Sequence, residues 1–518
     1  MLFNSYEFVF LFLPLLVFLF YFCSSRSRSL SATLLIAFSL FFYGWWNWSY
    51  VLILVVYVLF NFIWGNRFVL PERSSVKRRV FLGLGILANL SALFYFKYLD
   101  FIISTINTLV GTNFPLTKII LPPGISFFAF TSIAYLIDVF RKNFYDCSFL
   151  HFSLFQCFFP HLVAGPILRP SEVIPQLDSR DSNSFSPLNF SCGMSLFTLG
   201  LFKKVILADN FSLFVDPSFS ATAKGHLVYP LDGWVSALSY TFQLYFDFSG
   251  YSDMAIGLAK LFNITFPSNF TSPYKATSII EFWRRWHMSL ARWCRDYIYI
   301  PLGGNRKGAL RRYVNLFLTM FVVGIWHGAG LTFVVWGVWH GLLLVANHLI
   351  RSLVSPYAEK SSILSSIILL FSAPVTFLCV MFGWIVFRAE SLSSAWGLMK
   401  CMFAFQGMSL PLSWRETLLS SLSLEFVAKI TFTPHVFFKD FEAVLWLFFG
   451  LLLVFFSPNT LQIMGRAQPV FEETSPLPRF FGWLSWRPTP VFALVCAVLL
   501  TTCIVNMTKS SPYLYFQF

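Results

Sequence analysis

From residue 314 to residue 350 the chain carries no Asp, Glu, Lys or Arg. At roughly 20 residues per membrane crossing, this stretch is too long for one helix and too apolar to leave the bilayer for long. It must turn or break, and Gly328-Ala329-Gly330 is the predicted place. Such a break puts His327 at a helix end, against small residues where another helix or a ligand can come close.

The rest of the chain keeps this character. Of its 518 residues 57% are hydrophobic, 20% aromatic and only 12% charged, which excludes a water-soluble domain. Further apolar runs lie near 8–23, 30–43, 50–64, 80–96, 119–140, 149–168, 190–207, 233–263, 364–387, 443–456 and 489–506. Together they predict an all-α, polytopic membrane protein of about eleven to thirteen membrane helices, with re-entrant and interfacial pieces. Pro122-Pro123-Gly124, Pro160, Gly165-Pro166 and Gly250 interrupt several runs. Broken helices survive at that depth only beside protein or a water-filled cavity, so the core is expected to enclose a tunnel. The chain reads as one domain over 1–518, with N-terminal helices to 118, a core from 119 to 350 that holds the motifs, and C-terminal helices and loops from 351. Residues 168–190, 264–312, 389–442 and 457–488 read as large loops lying along the interface.

The formal charge of +14 does not point to nucleic acid, because the cations cluster in short connections between apolar runs. Arg26 and Arg28 follow the first run; Arg67, Arg73, Lys77, Arg78 and Arg79 follow the third, with Glu72 alone against them. Both connections are expected in the cytoplasm, with the N-terminus and the aromatic Gly44-Trp45-Trp46-Asn47-Trp48 turn outside. The nine cysteines show no ligand spacing and read as small buried hydrophobes, with no disulfide framework and no metal site.

Residues 281–300 contain Arg284, Arg285, Arg292 and Arg295. Four arginines at about 2.5–3.5 kcal/mol each forbid a spanning helix. At 100° per residue Trp283, Trp286, Leu290, Trp293 and Tyr297 share one face, the arginines take the other sides, and His287 sits at the seam. An amphipathic helix is predicted, aromatic side buried and guanidinium side toward water, lipid headgroups or an anionic ligand. A helix anchored on headgroups with a satisfied histidine fits the same pattern. An ionisable group held at membrane depth is nevertheless a site by default, which singles out His287 and His327. His327 has a plain alternative too, a ring that ties its helix end to a backbone carbonyl. On a continuous helix His340 would point about 220° away from His327, a supporting position; His348 reads as interfacial, His151 and His226 as solvated.

These residues resemble a family, the membrane-bound O-acyltransferases, in the bacterial branch typified by the membrane subunit of alginate O-acetylation. The resemblance runs through Leu121-Pro122-Pro123-Gly124-Ile125-Ser126-Phe127-Phe128, through Phe159-Pro160-His161-Leu162-Val163-Ala164-Gly165-Pro166-Ile167, and through Tyr245-Phe246-Asp247-Phe248-Ser249-Gly250-Tyr251-Ser252-Asp253. It continues over 281–305, Trp326-His327-Gly328, 384–390 and the terminal 515–518. It implies acyl transfer to oxygen through a membrane tunnel, with His327 as catalytic base and His287 orienting or polarising the acyl carbonyl. Imidazole suits the task, since a pKa near 6.5 lets it take a hydroxyl proton and return one to a thiolate. Acetyl-CoA is the implied donor, a substrate rather than a bound cofactor. Arg284, Arg285, Arg292, Arg295 and Arg306 are then candidates for its phosphates, against the alternative of headgroup contact and topology. Trp283, Trp286 and Trp326 would support the site, and Asp247, Ser249, Tyr251 and Asp253 are expected to hydrogen-bond the arginine helix. The resemblance further implies a bacterial inner membrane, an exported polysaccharide as acceptor, and an extracytoplasmic SGNH-type (Ser-Asp-His) acetyltransferase as partner. Two other readings remain: a D-alanyl transferase of teichoic acids fed by a carrier protein, and a channel or flippase without chemistry.

The orientation has a direct check. In intact cells an Asn47→Cys variant is expected to react with a membrane-impermeant thiol reagent above the unsubstituted background, and Lys77→Cys only after the membrane is opened; the reverse pattern would invert the topology.

Overall fold

The computed structural model describes residues 1–70, 74–142, 147–178, 184–358, 361–404, 409–415, 432–433, 441–507 and 513–514. Arg73, the terminal motif at 515–518 and half of the loop 389–442 lie outside them. Among the described residues seven helices are long and apolar enough to cross a membrane: Glu7–Ser24, Trp48–Val69, Ser75–Lys97, Pro187–Ser212, Gly308–His327, Leu331–Val354 and Ser365–Arg388. Five shorter apolar helices accompany them, Arg28–Gly44, Leu99–Val110, Ile125–Phe140, Glu442–Phe455 and Pro490–Asn506. The all-α expectation holds; the strands described are two residues each, Leu410–Pro411 beside Phe432–Thr433. Phe10, Phe18, Leu52, Leu369 and Leu445 are among the many large apolar side chains left exposed on these helices, which suits lipid rather than water.

The centre of the fold is a helix outside these twelve, Pro230–Leu261. It begins with Pro at its first turn, where a missing N–H costs nothing, and runs 32 residues, about 48 Å at 1.5 Å each. Nearly all of it is buried by protein, so it needs no lipid-facing apolar surface and can carry Asp232, Asp247, Asp253 and Lys260.

Its principal neighbour is Pro187–Ser212, packed along a glycine seam. A Cβ added at Gly200 would lie 2.5 Å from the Gly250 carbonyl oxygen, and one at Gly193 2.7 Å from that of Gly257. Small residues let two backbones approach where lipid offers no hydrophobic drive for packing. The approach sets the polar pairing: Lys204 Nζ lies 2.7 Å from Asp247 and 2.9 Å from Asp209, and Lys203 Nζ 2.6 Å from Asp253. Asp247 also accepts the Leu514 N–H.

This corrects one expectation. Asp247 and Asp253 pair with lysines, not with the arginine segment, because the glycine seam brings Lys203 and Lys204 to them first. Tyr251 packs between Phe3 and Tyr513, with ring centroids at 5.0 and 4.7 Å. Ser249 is buried, and its hydroxyl finds no hydrogen-bond partner among the described residues.

A second correction concerns the loop expected along the interface over 264–312: residues 264–294 are largely buried, while most of 295–312 is exposed or half-buried. Phe266, Asn269, Phe270, Tyr274, Phe282, Trp286, Leu290 and Trp293 are buried, and the segment folds inward against the central helix. Its backbone is met inside the protein, by Gln176 at Thr265 and by Glu472 at Ser268. Six of the nine cysteines are buried, as their apolar settings suggested.

The seam predicts that Gly200→Ala destabilises the protein by about 1–3 kcal/mol through overpacking, read as a lowered melting temperature in detergent. A neutral result would mean that these helices separate at little cost.

Candidate active site

His327 is the last residue of Gly308–His327, and Leu331 opens the return helix, so the chain breaks at the glycines where the sequence required it. The hairpin closes tightly. A Cβ on Gly324 would lie 2.8 Å from the Gly337 Cα, and one on Gly328 would enter the Phe333 ring. His327 is 7% exposed, and its ring meets Trp326, Trp336 and Phe387 at centroid distances of 4.9, 5.0 and 5.2 Å.

The arginine segment departs from the single helix expected of it. It forms Ile279–Trp283, a turn, Met288–Cys294, and a wider π-helical turn over Arg295–Tyr299. The break falls at His287, which adopts φ +43°, ψ +53°, a left-handed conformation that non-glycine residues rarely hold without support. Asn269 supplies it. Its Oδ1 accepts from Ser289 N–H at 3.3 Å and from Ser289 Oγ at 2.9 Å, and lies 3.0 Å from His287 Nδ1. The Asn269 backbone carbonyl takes the Met288 N–H, and its amide donates to Ser252 on the central helix. Because a backbone N–H can only donate, Ser289 fixes which end of the Asn269 amide faces His287, and Nδ1 is therefore the protonated nitrogen. Nε2 keeps a lone pair, is buried, and has no protein partner among the described residues.

The two histidines meet on one indole. Trp326 lies 6.5 Å from His287 and 4.9 Å from His327, and is itself gripped by Phe130, which stacks on Trp326 at 4.8 Å and on Trp293 at 3.8 Å. Phe248 packs edge-on to His287 at 4.8 Å and, with His327, Trp286, Trp384 and Phe387, lines a cavity of about 20 Å³. That volume holds about one water. It is far smaller than the tunnel an acyl thioester would occupy.

A family model described as MBOAT, membrane-bound O-acyltransferase family, matches residues 40–387. The chain belongs to the membrane-bound O-acyltransferase family. It is 39% identical to the peptidoglycan O-acetyltransferase of Helicobacter pylori over 68% of this chain and 70% of that one. It is 35% identical to the probable alginate O-acetylase AlgI of Pseudomonas aeruginosa over 89% of each. It is 32% identical to the teichoic acid D-alanyltransferase of Streptococcus thermophilus, over 40% of this chain and 51% of that one. The protein is therefore a multi-pass membrane O-acyltransferase.

Within this acyltransferase the arginines divide. Arg285 pairs with Glu281 at 2.5 Å, Arg292 with Glu172 and Glu472 at 3.2 and 3.1 Å, and Arg295 with Asp296 at 2.7 Å, while Arg169 also binds Asp296. Arg284 and Arg306 are exposed. Partial burial would raise the Asp296 carboxyl, but Arg295 and Arg169 outweigh it and hold it below its ordinary value. Trp283, Trp286 and Trp326 all stand in the aromatic wall. Trp283 meets Trp336 and His340 at 5.9 and 5.3 Å, and Trp286 meets Trp384 at 4.9 Å.

His340 is closer to the site than a continuous helix allowed. The break at 328–330 resets the phase, and Trp336 alone separates its ring from that of His327, 4.8 Å on one side and 5.0 Å on the other.

Sequence reasoning missed two groups. Asn269 carried one signal, a polar pair Ser268-Asn269 between aromatic residues. Lys97, at the margin of an apolar run, carried another in the cost of a cation at membrane depth. Its Nζ donates to the carbonyls of Trp326 and His327 at 2.7 and 2.8 Å, and Tyr98 Oη to that of Ile325 at 2.9 Å.

An Asn269→Leu variant leaves His287 Nδ1–H and Ser289 N–H without their acceptor. Acyl-transfer kcat is expected to fall about 10- to 100-fold, from the loss of about 1–3 kcal/mol of hydrogen bonding, with Asn269→Asp retaining more. Equal activity in all three proteins would remove Asn269 from the site.

Proposed function

We propose that this acyltransferase carries acetyl groups from cytoplasmic acetyl-CoA toward a glycan outside the membrane, with His327 as general base. The observation that carries the reading is the meeting of two buried imidazoles, from segments far apart in sequence, on the one indole of Trp326. His327 takes the proton of the acceptor hydroxyl, the oxygen attacks the thioester carbonyl carbon, the C–S bond breaks, and the proton passes to the leaving thiolate. A neutral His287 whose N–H is committed to Asn269 offers only a lone pair at Nε2, so it cannot polarise the carbonyl by donating to it, and it orients the acceptor by accepting from a donor group other than the hydroxyl that His327 deprotonates. Arg284 and Arg306, exposed, are the guanidinium groups open to the coenzyme's phosphates; Arg285, Arg292 and Arg295 already hold carboxylates.

Support for an acetyl donor and a glycan acceptor comes from the relatives named for alginate and peptidoglycan O-acetylation. The second of these adds a cell-wall glycan to the exported polysaccharides the sequence suggested. In this reading the protein is one domain of a bacterial inner membrane, N-terminus outside, working with an extracytoplasmic SGNH-type transferase. D-alanyl transfer is the second reading, favoured by the Streptococcus thermophilus relative over a smaller part of the chain.

The test uses membranes given labelled acetyl-CoA. His327→Ala is expected to lower ester formation at least 10²-fold, the scale of a lost general base, while the protein still inserts. Retention of ester would end the catalytic role of His327, and a preference for an aminoacyl carrier protein over acetyl-CoA would favour the D-alanyl reading.

A further inference from the structure

A cavity of about 220 Å³ lies where the basic connection after the first helix meets the end of the central helix. Its inner surface is apolar, built from Phe20, Leu35, Leu154, Phe262 and Ile264, all of them buried. Its rim is polar and cationic, with Arg28 and Ser29 exposed and His151 half-buried. Among the described residues no carboxylate lines it. A guanidinium fork matches the oxygens of a phosphate, and a hydroxyl and an imidazole beside it can add hydrogen bonds. Such a rim over an apolar floor suits an anion that brings hydrocarbon with it.

The surroundings favour a lipid over a soluble anion. Arg28 is the first residue of the apolar helix Arg28–Gly44, and Phe20 stands near the end of the membrane-crossing helix Glu7–Ser24, so the guanidinium lies at the edge of the hydrocarbon layer, at the level of headgroups. Leu30, between two of the lining serines, and Phe149, two residues before His151, are large apolar side chains left exposed beside the rim. Lipid chains cover such groups and water does not. The volume points the same way. It falls below the roughly 300–1,000 Å³ of cavities that enclose a whole small ligand, so it accepts one end of a molecule whose remainder stays in the bilayer.

We propose that this cavity binds the phosphate and glycerol of an anionic phospholipid, taken from the leaflet that faces the basic connections, with Arg28 on the phosphate. Basic recesses between membrane helices select such headgroups where anionic lipids are concentrated. The bound lipid joins the first two helices to Phe149–Cys157 and to the chain leaving the central helix at Phe262 and Ile264. That chain continues through Thr265, whose backbone N–H and carbonyl are both held by Gln176, to Asn269 beside His287. An occupied site therefore braces the start of the segment that carries Asn269.

The full chain in detergent, mixed with phosphatidylglycerol and phosphatidylcholine of equal chain length and read by native mass spectrometry for the lipid it retains, tests this. The unsubstituted protein is expected to retain phosphatidylglycerol severalfold over phosphatidylcholine and to melt at a higher temperature in its presence. Arg28→Ala is expected to lose about fivefold in phosphatidylglycerol retention, the scale of one basic residue beside anionic headgroups, and Arg28→Lys less, since the charge stays. Ala32→Leu, which extends into the cavity and leaves every charge in place, should lose the lipid too. Arg26→Ala should retain it, because the Arg26 guanidinium lies over the Phe22 ring, 3.8 Å from its centroid, and outside the cavity. Equal retention of the two lipids by the unsubstituted protein overturns the proposal. So does an equal loss in Arg26→Ala and Arg28→Ala, which is surface charge alone, or unchanged retention in a folded Arg28→Ala protein, or in Ala32→Leu where Arg28→Ala fails to fold. Release of the lipid by millimolar inorganic phosphate makes this a soluble-anion site and overturns it as well.

Discussion

A helix that stops among apolar side chains leaves its last carbonyls without partners, and the end of Gly308–His327 is such a stop. An unmet carbonyl in a medium without water costs several kcal/mol, roughly what a small domain has to spare. Three successive carbonyls, of Ile325, Trp326 and His327, are met by Tyr98 and Lys97, more than two hundred residues earlier. The cation also complements the negative end of the helix dipole. The height of the His327 imidazole is thus set by the N-terminal part of the chain, although neither Lys97 nor Tyr98 belongs to a histidine motif.

The same rule governs the rest of the interior. Asn61 and Asn89 exchange amide hydrogen bonds between Trp48–Val69 and Ser75–Lys97, at 2.8 and 3.2 Å. Lys203 and Lys204 answer Asp253 and Asp247 across the glycine seam. Asn269 answers His287 and Ser289 together. Against that background the atoms without protein partners stand out. Nε2 of His287, both ring nitrogens of His340 and the indole nitrogens of Trp283 and Trp336 lie in one aromatic wall around His327, buried and unanswered among the described residues. Ser239, Ser249 and Gln243 also keep buried polar atoms without a partner among the described residues, so what sets this group apart is its clustering around one imidazole.

Much of the fold was legible because the bilayer restricts the alternatives. Apolar runs such as 8–23 or 364–387 become helices since no other open structure hides its backbone from lipid, and Gly328-Ala329-Gly330 breaks a stretch that had to break. That the two histidines would be buried was legible for a related reason, since each stands within an apolar or aromatic stretch. The arginine segment was misread as one helix, because periodicity reports which side chains face inward and not whether the backbone is continuous. Trp286, Leu290 and Trp293 are buried as the pattern required, yet His287 between them turns left-handed on the strength of Asn269. Asp247 and Asp253 were assigned the wrong partners on similar grounds, since no local pattern reveals which helix a glycine seam will bring nearest.

Taken alone, the order of residues determined that this chain is a helical membrane protein and where it breaks, and it singled out His287 and His327 as candidates, because each follows from the free energy of single groups in hydrocarbon. Only the folded molecule decided what each polar group touches: that both imidazoles meet Trp326, that Asn269 selects the His287 tautomer, that carboxylates already hold three of the arginines, and that Lys97 caps the helix bearing His327. Such pairings join segments tens to hundreds of residues apart, and their strength depends on a few tenths of an ångström in donor–acceptor distance, a quantity that composition and periodicity do not contain.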